Sequence, residues 1–278
     1  MSVIDRSLLN HGFPGSTWGN LGLWTDAAQD YPAACQALAG RLAEYAQLTP
    51  GCSVLDVGFG YGDQLVFWKQ RFAVGRITGI ETDAAGVEEA RRKLAAFTDV
   101  TLRLGDDSPY PPQKSHDREL YDRVLALDCA YHFAPRSAFF AHALRALHPG
   151  GRLALTDILT ADNASASQQA RLSKMCGIPQ ENLMTQQDYG QALAALGFCN
   201  IRFERLDEEV LSGFSRFATR LLRRRGIAGL SAGGLKIFAT AAIAAWLRRG
   251  QRVHYVLVSA DRPAPTAHRT QRRINPAA

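Results

Sequence analysis

The sequence has no long hydrophobic run and few cysteines, and both features exclude whole classes of protein. None of its 278 residues lies in a stretch approaching the roughly 18 uninterrupted apolar residues of a membrane-spanning helix. The first ten residues contain Asp5 and Arg6 but no apolar signal core, which predicts a cytoplasmic rather than an exported protein. The five cysteines show no C-x-x-C spacing, so the sequence predicts reduced thiols and no metal cluster.

Acidic residues are scarce in the C-terminal part of the chain. Residues 200–278 contain 15 Lys and Arg but only 5 Asp and Glu, although the net charge of the whole chain is only +6. Two apolar segments, 214–222 and 237–247, lie among these basic residues. Their amphipathic pattern predicts either a lid over a substrate or a helix lying on an anionic membrane. Packing against the protein core is the commoner reason for an apolar helix face. No nucleic-acid-binding signature accompanies the arginines.

Glycine is abundant at one point, where an apolar segment runs straight into a turn. Residues 54–57 read Val-Leu-Asp-Val, and three glycines follow at a spacing of two: Gly58, Gly60 and Gly62. Glycine adopts positive φ freely and has no side chain, so this turn lets a ligand approach the backbone. The dinucleotide fingerprint, G-x-G-x-x-G, receives a pyrophosphate, but here the spacing is G-x-G-x-G between Asp56 and Asp63. Two carboxylates repel a pyrophosphate and suit a cationic amino-acid ligand.

This strand and turn resemble the first motif of the class I S-adenosylmethionine-dependent methyltransferases, which is hydrophobic-hydrophobic-[DE]-hydrophobic-G-x-G-x-G. The resemblance continues over residues 50–160, with predicted strands at 76–81, 100–104, 121–128 and 152–159 and an L-H-P-G-G turn before the last. It implies S-adenosylmethionine as cofactor. It also implies an α/β, Rossmann-like fold with a seven-stranded, mostly parallel sheet, an antiparallel last strand, helices on both faces and substrate-side cap segments.

The resemblance also implies which residues bind the cofactor. Asp56 would orient the turn and the methionine amino group. Glu81 lies 19 residues beyond the last glycine, near the spacing of roughly 20 at which an acid reaches the ribose hydroxyls, and Asp83 is placed to cap the next helix. Asp106 matches an acid that accepts from the adenine amino group, although a simple Asp turn is an alternative there. The implied set is Asp56, Gly58, Gly60, Gly62, Gln64, Glu81, Asp106 and Asp128.

Tyr131 and His132, just beyond the fourth predicted strand, are the candidate catalytic residues. Methyl transfer chiefly requires alignment of donor and acceptor, with removal of a proton where the acceptor carries one. His132 can accept a proton near neutral pH, and Tyr131 can orient the acceptor or face a cation. A purely structural role for His132 is the alternative. Residues 128–131 match only the first and last positions of the [DN]-P-P-[YF] motif, which disfavours nucleobase or protein-glutamine methylation.

The sequence therefore predicts a single methyltransferase domain acting on a small, lipophilic metabolite. The acceptor atom, C, O or N, stays open, and the pattern is similar to sterol, tocopherol, quinone and prenyl-diphosphate methyltransferases. A nucleic-acid methyltransferase using the basic C-terminal half is the alternative, and peripheral membrane contact through residues 214–249 is left open. The predicted domain spans residues 1–262. It contains an arm and helix at 1–48, a cofactor core at 50–160 and caps at 160–185 and 207–251, and a disordered tail follows it at 263–278.

Overall fold

The computed structural model describes residues 6–105, 119–225, 231–249 and 252–265, and their strands form one twisted sheet. The strands are β1 (Val54–Val57), β2 (Ile77–Glu81), β3 (Val100–Leu104), β4 (Tyr121–Ala126), β5 (Leu147–Thr160), β6 (Cys199–Arg205) and β7 (Val253–Asp261). Their order is β3-β2-β1-β4-β5-β7-β6, with β7 antiparallel to both of its neighbours. The predicted seven-stranded sheet with an antiparallel last strand is confirmed.

Helices cover both faces of this sheet. They are α1 (Arg6–Leu9), α2 (Tyr31–Tyr45), α3 (Asp63–Phe72), α4 (Ala84–Lys93), α5 (Arg136–Ala146), α6 (Ala166–Cys176), α7 (Gln186–Leu196), α8 (Gly213–Arg225) and α9 (Ala232–Arg249). One apolar core joins α2, α3, α8 and α9 to one face, and a second joins α5 and α7 to the other. Among the described residues, no helix is both long and apolar enough to cross a bilayer.

Side-chain caps account for where several helices begin. Asp83 accepts a hydrogen bond from the amide of Ala85, which confirms the predicted cap of α4. The polar segment 160–185 was expected only as a cap region, yet it contains α6. This helix begins with a capping box in which Ser165 and Gln168 satisfy each other's backbone amides, and its Leu172 is buried. The apolar periodicity of this segment is weak, because Leu172 is the one buried residue of α6.

The strand order reverses between β1 and β4, and this topology places the site. In open parallel sheets ligands bind beyond the carboxyl ends of the strands at such a reversal. The glycine turn follows β1 there, Glu81 ends β2, and residues 127–132 follow β4. The predicted strand boundaries differ mainly at β4, which ends at Ala126 rather than at residue 128, and at β5, which begins at Leu147 rather than at residue 152. The predicted tail lies almost entirely outside the described residues.

Candidate active site

Two adjoining cavities lie at the reversal point of the sheet. The first, the turn cavity, is bounded by residues 17–20, the glycine turn, Glu81 and residues 127–129. The second, the large cavity, has a volume of about 560 Å³ and is walled by residues 128–132, the end of α6 and one side of α9. Arg6, Gly19 and Asp128 line both cavities, so the two spaces meet at these residues.

The three glycines of the turn have different roles. Gly60 has a φ of +60° and nothing within 4 Å of where a Cβ would stand, so its backbone faces open space. A Cβ on Gly58 would lie 2.6 Å from the Cys129 sulfur. Gly62 does not line the turn cavity. Its lack of a side chain lets α3 approach α4, since a Cβ on Gly62 would lie 2.7 Å from the Cβ of Ala90. Gly62 therefore has a helix-packing role, and its close approach to the ligand stays a prediction.

Asp56 also lies behind the cavity rather than in its lining. Its side chain is fully buried, and its Oδ2 accepts a hydrogen bond of 2.7 Å from Nε2 of Gln64, which does line the turn cavity. Burial raises the pKa of Asp56 to about 8, against the lowering effect of the Gln64 hydrogen bond. Asp56 thus holds Gln64 in the cavity lining, and its role in orienting the methionine amino group stays a prediction.

Glu81 lines the turn cavity and holds the glycine turn in place. One carboxylate oxygen accepts from the amide of Gly60 at 2.7 Å, and the other accepts from the amides of Thr82 and Asp83 at 2.8 and 3.0 Å. Each carboxylate oxygen has two lone pairs, so Oε2 retains capacity for a hydroxyl donor in the cavity. Asp106, the predicted adenine ligand, lies outside the described residues.

The N-terminal arm, residues 6–30, covers the turn cavity. The Thr17 hydroxyl donates to Asp63 at 2.6 Å, and Lys93 binds the same carboxylate oxygen. Farther along, the ring of Trp24 stacks on Phe217 of α8 with centroids 4.4 Å apart. Arg6 and residues 17–20 of the arm form part of the wall of the turn cavity, whose volume is about 140 Å³, so a larger ligand requires the arm to shift.

Asp128 is the central polar group where the cavities meet. Its Oδ2 accepts from the amide of Leu21 at 2.7 Å, and its Oδ1 lies 3.0 and 2.9 Å from the hydroxyls of Tyr131 and Tyr255. Burial raises the pKa of Asp128 to about 6, although these hydrogen bonds lower it. Tyr255 comes from the antiparallel strand β7, and no local sequence signal indicated that it would meet Asp128.

His132 and Tyr131 line the large cavity, on a short turn that Asn182 supports. The Asn182 amide donates to the main-chain oxygens of Tyr131 and Phe133, at 3.1 and 2.6 Å. Nδ1 of His132 lies 3.1 Å from the oxygen of Gly177. Because a carbonyl only accepts, neutral His132 carries its proton on Nδ1 and keeps a lone pair on Nε2. Burial lowers the pKa of His132, so the neutral form predominates near neutral pH.

The charges around the turn cavity match a cationic ligand. Among the described residues that line it are three carboxylates, those of Asp63, Glu81 and Asp128, and one cation, Arg6, while Lys93 pairs with Asp63. A pyrophosphate would meet these carboxylates unfavourably, whereas a sulfonium and an amino group meet them favourably. The open backbone at Gly60 and the acid at the end of β2 fit S-adenosylmethionine. In the described part of the chain, no group of His, Cys, Asp and Glu side chains is arranged to hold a metal ion.

Comparison with known proteins agrees with this geometry. A family model described as a methyltransferase domain matches residues 54–151. The chain is 32% identical over 212 residues to erythromycin 3''-O-methyltransferase of Saccharopolyspora erythraea, covering 73% of this chain and 69% of that one. It is 35% identical over 153 residues to 27-O-demethylrifamycin SV methyltransferase of Amycolatopsis mediterranei, covering 51% and 53%. The fold matches cyclopropane synthase MmaA2 of Mycobacterium tuberculosis with a TM-score of 0.71 at 18% identity, over 92% and 94%.

The fold, the glycine turn and these relatives define a class I methyltransferase, an enzyme that uses S-adenosylmethionine as its cofactor. Within that class, the chain belongs to the family of small-molecule S-adenosylmethionine-dependent methyltransferases. The predictions of family, fold class, cofactor and enzymatic activity are confirmed. Nothing in the comparisons supports the nucleic-acid alternative.

Proposed function

We propose that this enzyme transfers a methyl group from S-adenosylmethionine to a hydroxyl oxygen of a lipophilic small molecule bound in the large cavity. The observation that carries the proposal is that this cavity and the turn cavity share Asp128 in their linings, beside His132 and Tyr131. An acceptor in one space and a methyl donor in the other would therefore meet at a buried polar cluster. The names of both relatives refer to a methyl group on an oxygen atom.

The walls of the large cavity support a lipophilic acceptor. Apolar side chains from the arm, β5, the end of α6 and α9 face it: Leu21, Ile158, Ile178, Ile243 and Leu247. Asp128 supplies a polar group where the large cavity adjoins the turn cavity, and the Tyr131 hydroxyl is hydrogen-bonded to it. Ligand sites of this kind bind the bulk of a molecule through apolar surface and orient it through a few polar groups. The proposed acceptor therefore has an extensive apolar body and a hydroxyl that reaches Asp128.

In the proposed mechanism the protein positions the acceptor and removes its proton. S-adenosylmethionine, when bound, supplies a methyl group already activated by its positive sulfur. Glu81 and the backbone at Gly58 and Gly60 hold the cofactor, with Gln64 kept in place by Asp56. Asp128 and Tyr131 orient the acceptor hydroxyl. As the new O–C bond forms and the S–C bond breaks, Nε2 of His132 accepts the hydroxyl proton.

A two-stage experiment tests this function. Calorimetric titration with S-adenosylmethionine, S-adenosylhomocysteine and NAD should show binding of the first two alone. Incubation with radiolabelled S-adenosylmethionine and a panel of lipophilic alcohols should then transfer label into an organic extract, whereas isosteric amines and hydrocarbons should not be labelled. Methylation of amines but not alcohols would contradict an oxygen acceptor. Steeply salt-dependent binding of RNA would favour the nucleic-acid alternative.

Replacing His132 with alanine should lower kcat by about 10²-fold, because general-base catalysis typically contributes that much or more. Cofactor affinity should stay within about twofold of the original value, since His132 lines only the large cavity. Steady-state kinetics and calorimetry measure the two quantities separately. The control is His148→Ala, at an exposed position away from both cavities, which should change neither. An unchanged kcat in the His132 variant would leave this residue a structural role only.

The rate should also fall on the acid side of neutrality. His132 acts as a base only when neutral, and its lowered pKa keeps it neutral below the ordinary value of 6.5. Asp128 accepts its hydrogen bonds best when ionised, and its pKa is raised to about 6. Asp128 therefore loses its ionised form as pH falls through about 6, His132 loses its neutral form at a pH below 6.5, and the acid limb of kcat/KM belongs to the pair. A flat profile down to pH of about 5 would contradict this assignment.

We also propose that α9 places the enzyme on an anionic membrane surface. One side of α9 lines the large cavity, but Leu235 and Phe238, one turn apart, are 55% and 58% exposed. The neighbouring helix α8 carries exposed arginines at positions 216, 220, 223 and 224. Exposed apolar side chains beside basic ones are typical of helices that bind anionic lipid.

Vesicle sedimentation tests this membrane contact. The original chain should bind vesicles containing phosphatidylserine but not purely zwitterionic vesicles, and Leu235→Ser with Phe238→Ser should reduce binding by about tenfold. Leu104→Ser is the matched control, because Leu104 is 52% exposed at the edge strand β3, away from α9. Equal loss of binding in both variants would show that α9 has no special role.

A further inference from the structure

We propose that the methyl acceptor carries an anionic group, such as a carboxylate, phosphate or sulfate, which Lys174 and Lys236 bind at the outer end of the large cavity. This inference rests on the proposed function and narrows its substrate class. Lys174 comes from α6 and Lys236 from α9, so two separate elements place a cation on the lining of one cavity. Both lysines are exposed, whereas Asp128 and Ile158 at the other end are largely or fully enclosed.

The two lysines have no internal function that would account for them. Within the described ranges neither lysine makes an ion pair or a side-chain hydrogen bond with another residue; by contrast, Lys69 and Lys93 each bind an aspartate. Neither α6 nor α9 contains a single acidic residue, so no carboxylate on these helices neutralises them. Their ammonium groups are therefore available to a ligand.

The charge along the large cavity is polarised in a way that orients such a ligand. Among the described lining residues Asp128 supplies the acidic side chain, and it lies at the inner end with Arg6, beside the turn cavity. The two lysines belong to the exposed part of the lining. The orientation that sets the anion of an acceptor against the two lysines is favoured, because at the inner end the carboxylate of Asp128 opposes the attraction of Arg6. This orientation brings the hydroxyl to the methyl donor.

A pair of fluorescent probes with the same aromatic body tests the proposal without requiring turnover. Anilinonaphthalene sulfonate carries an anion, and phenylnaphthylamine is the same ring system without it. The original chain should bind the sulfonate more tightly than the neutral probe. In the double variant Lys174→Met, Lys236→Met, the affinity for the sulfonate should fall by about tenfold, as expected for two partly solvated charge pairs, and that for the neutral probe should hold. Methionine keeps the apolar stem of each lysine.

Arg223→Met is the matched control, because Arg223 is an exposed cation of α8 that lines neither cavity. It should leave the affinity for both probes unchanged. Equal loss of sulfonate binding in this control, or equal loss of both probes in the lysine variant, would overturn the proposal. So would lysine variants that lose only phosphatidylserine vesicle binding, because the cations would then face a lipid surface.

Calorimetry with S-adenosylmethionine separates this proposal from the proposed function. Equal affinity of the original chain for the two probes, with intact cofactor binding and alcohol methylation, would overturn only the anionic subsite. Intact sulfonate preference in a chain that labels no alcohol would overturn oxygen methylation and leave the subsite standing. The final check is the true acceptor, for which the lysine variant should raise KM by about tenfold while kcat stays within about twofold.

Discussion

Replacing Asp128 with alanine should lower kcat/KM by about 10³-fold, the largest catalytic effect that we expect from a single substitution here. The change removes the side-chain acceptor of the Leu21 amide and of the Tyr255 hydroxyl, and each buried group left unpaired costs roughly 1–3 kcal/mol. Tyr131 keeps the main-chain oxygen of residue 128 as a partner at 2.9 Å, so the loss falls on the Leu21 segment of the arm and on Tyr255 at the polar end of the large cavity. Steady-state kinetics with an identified acceptor would measure the loss.

Asparagine at position 128 is the informative control. Asp128 has a φ of +57°, a left-handed conformation that asparagine tolerates and alanine does not, so Asp128→Asn avoids backbone strain of about 1 kcal/mol. It keeps one carbonyl acceptor but removes the charge. Its kcat/KM should therefore fall between those of the original chain and the alanine variant. Tyr255→Phe should cost less than either, because it removes one hydrogen bond. Original activity in the alanine variant would show that Asp128 has no catalytic importance.

Replacing Glu81 with alanine should weaken S-adenosylmethionine binding by about 10²-fold, with little change in the overall fold. The substitution removes the proposed partner of the ribose hydroxyls and also releases the amide of Gly60, which Glu81 holds at 2.7 Å. Both losses act on the turn cavity, so they should appear in the dissociation constant measured by calorimetry. The thermal midpoint should change little, since the Glu81 side chain lies at the rim of the sheet.

Asp83→Ala separates this effect from local unfolding of α4. Asp83 caps α4 two residues away, and its removal should lower stability by about 1 kcal/mol while leaving cofactor affinity nearly unchanged. Gly60→Ala complements it, because a Cβ there would enter open space and would meet only a ligand. Tight cofactor binding by both the Glu81 and Gly60 variants would contradict the assignment of the turn cavity.

The motif identified the turn correctly but did not resolve the roles within it. Asp56 and Gly62 belong to the same motif as Gly60, yet neither lines the turn cavity. Every residue of β1 is buried, so the Asp56 side chain packs inside the fold, whereas Gly62 allows the close approach of Ala90 in α4. A motif therefore predicts which segment meets a ligand more reliably than which atoms do.

The sequence by itself determined the order of strands and helices, the position of the glycine turn and the acid that ends β2. These features depend on local physics, namely apolar periodicity, the φ freedom of glycine and side-chain capping, all of which operate over a few residues. Only the tertiary structure decided that Leu21, Tyr131 and Tyr255 converge on Asp128, and that Lys174 and Lys236 share a cavity. Most of these partners are separated by tens of residues, and their meeting depends on how whole helices and strands pack, which no local pattern specifies.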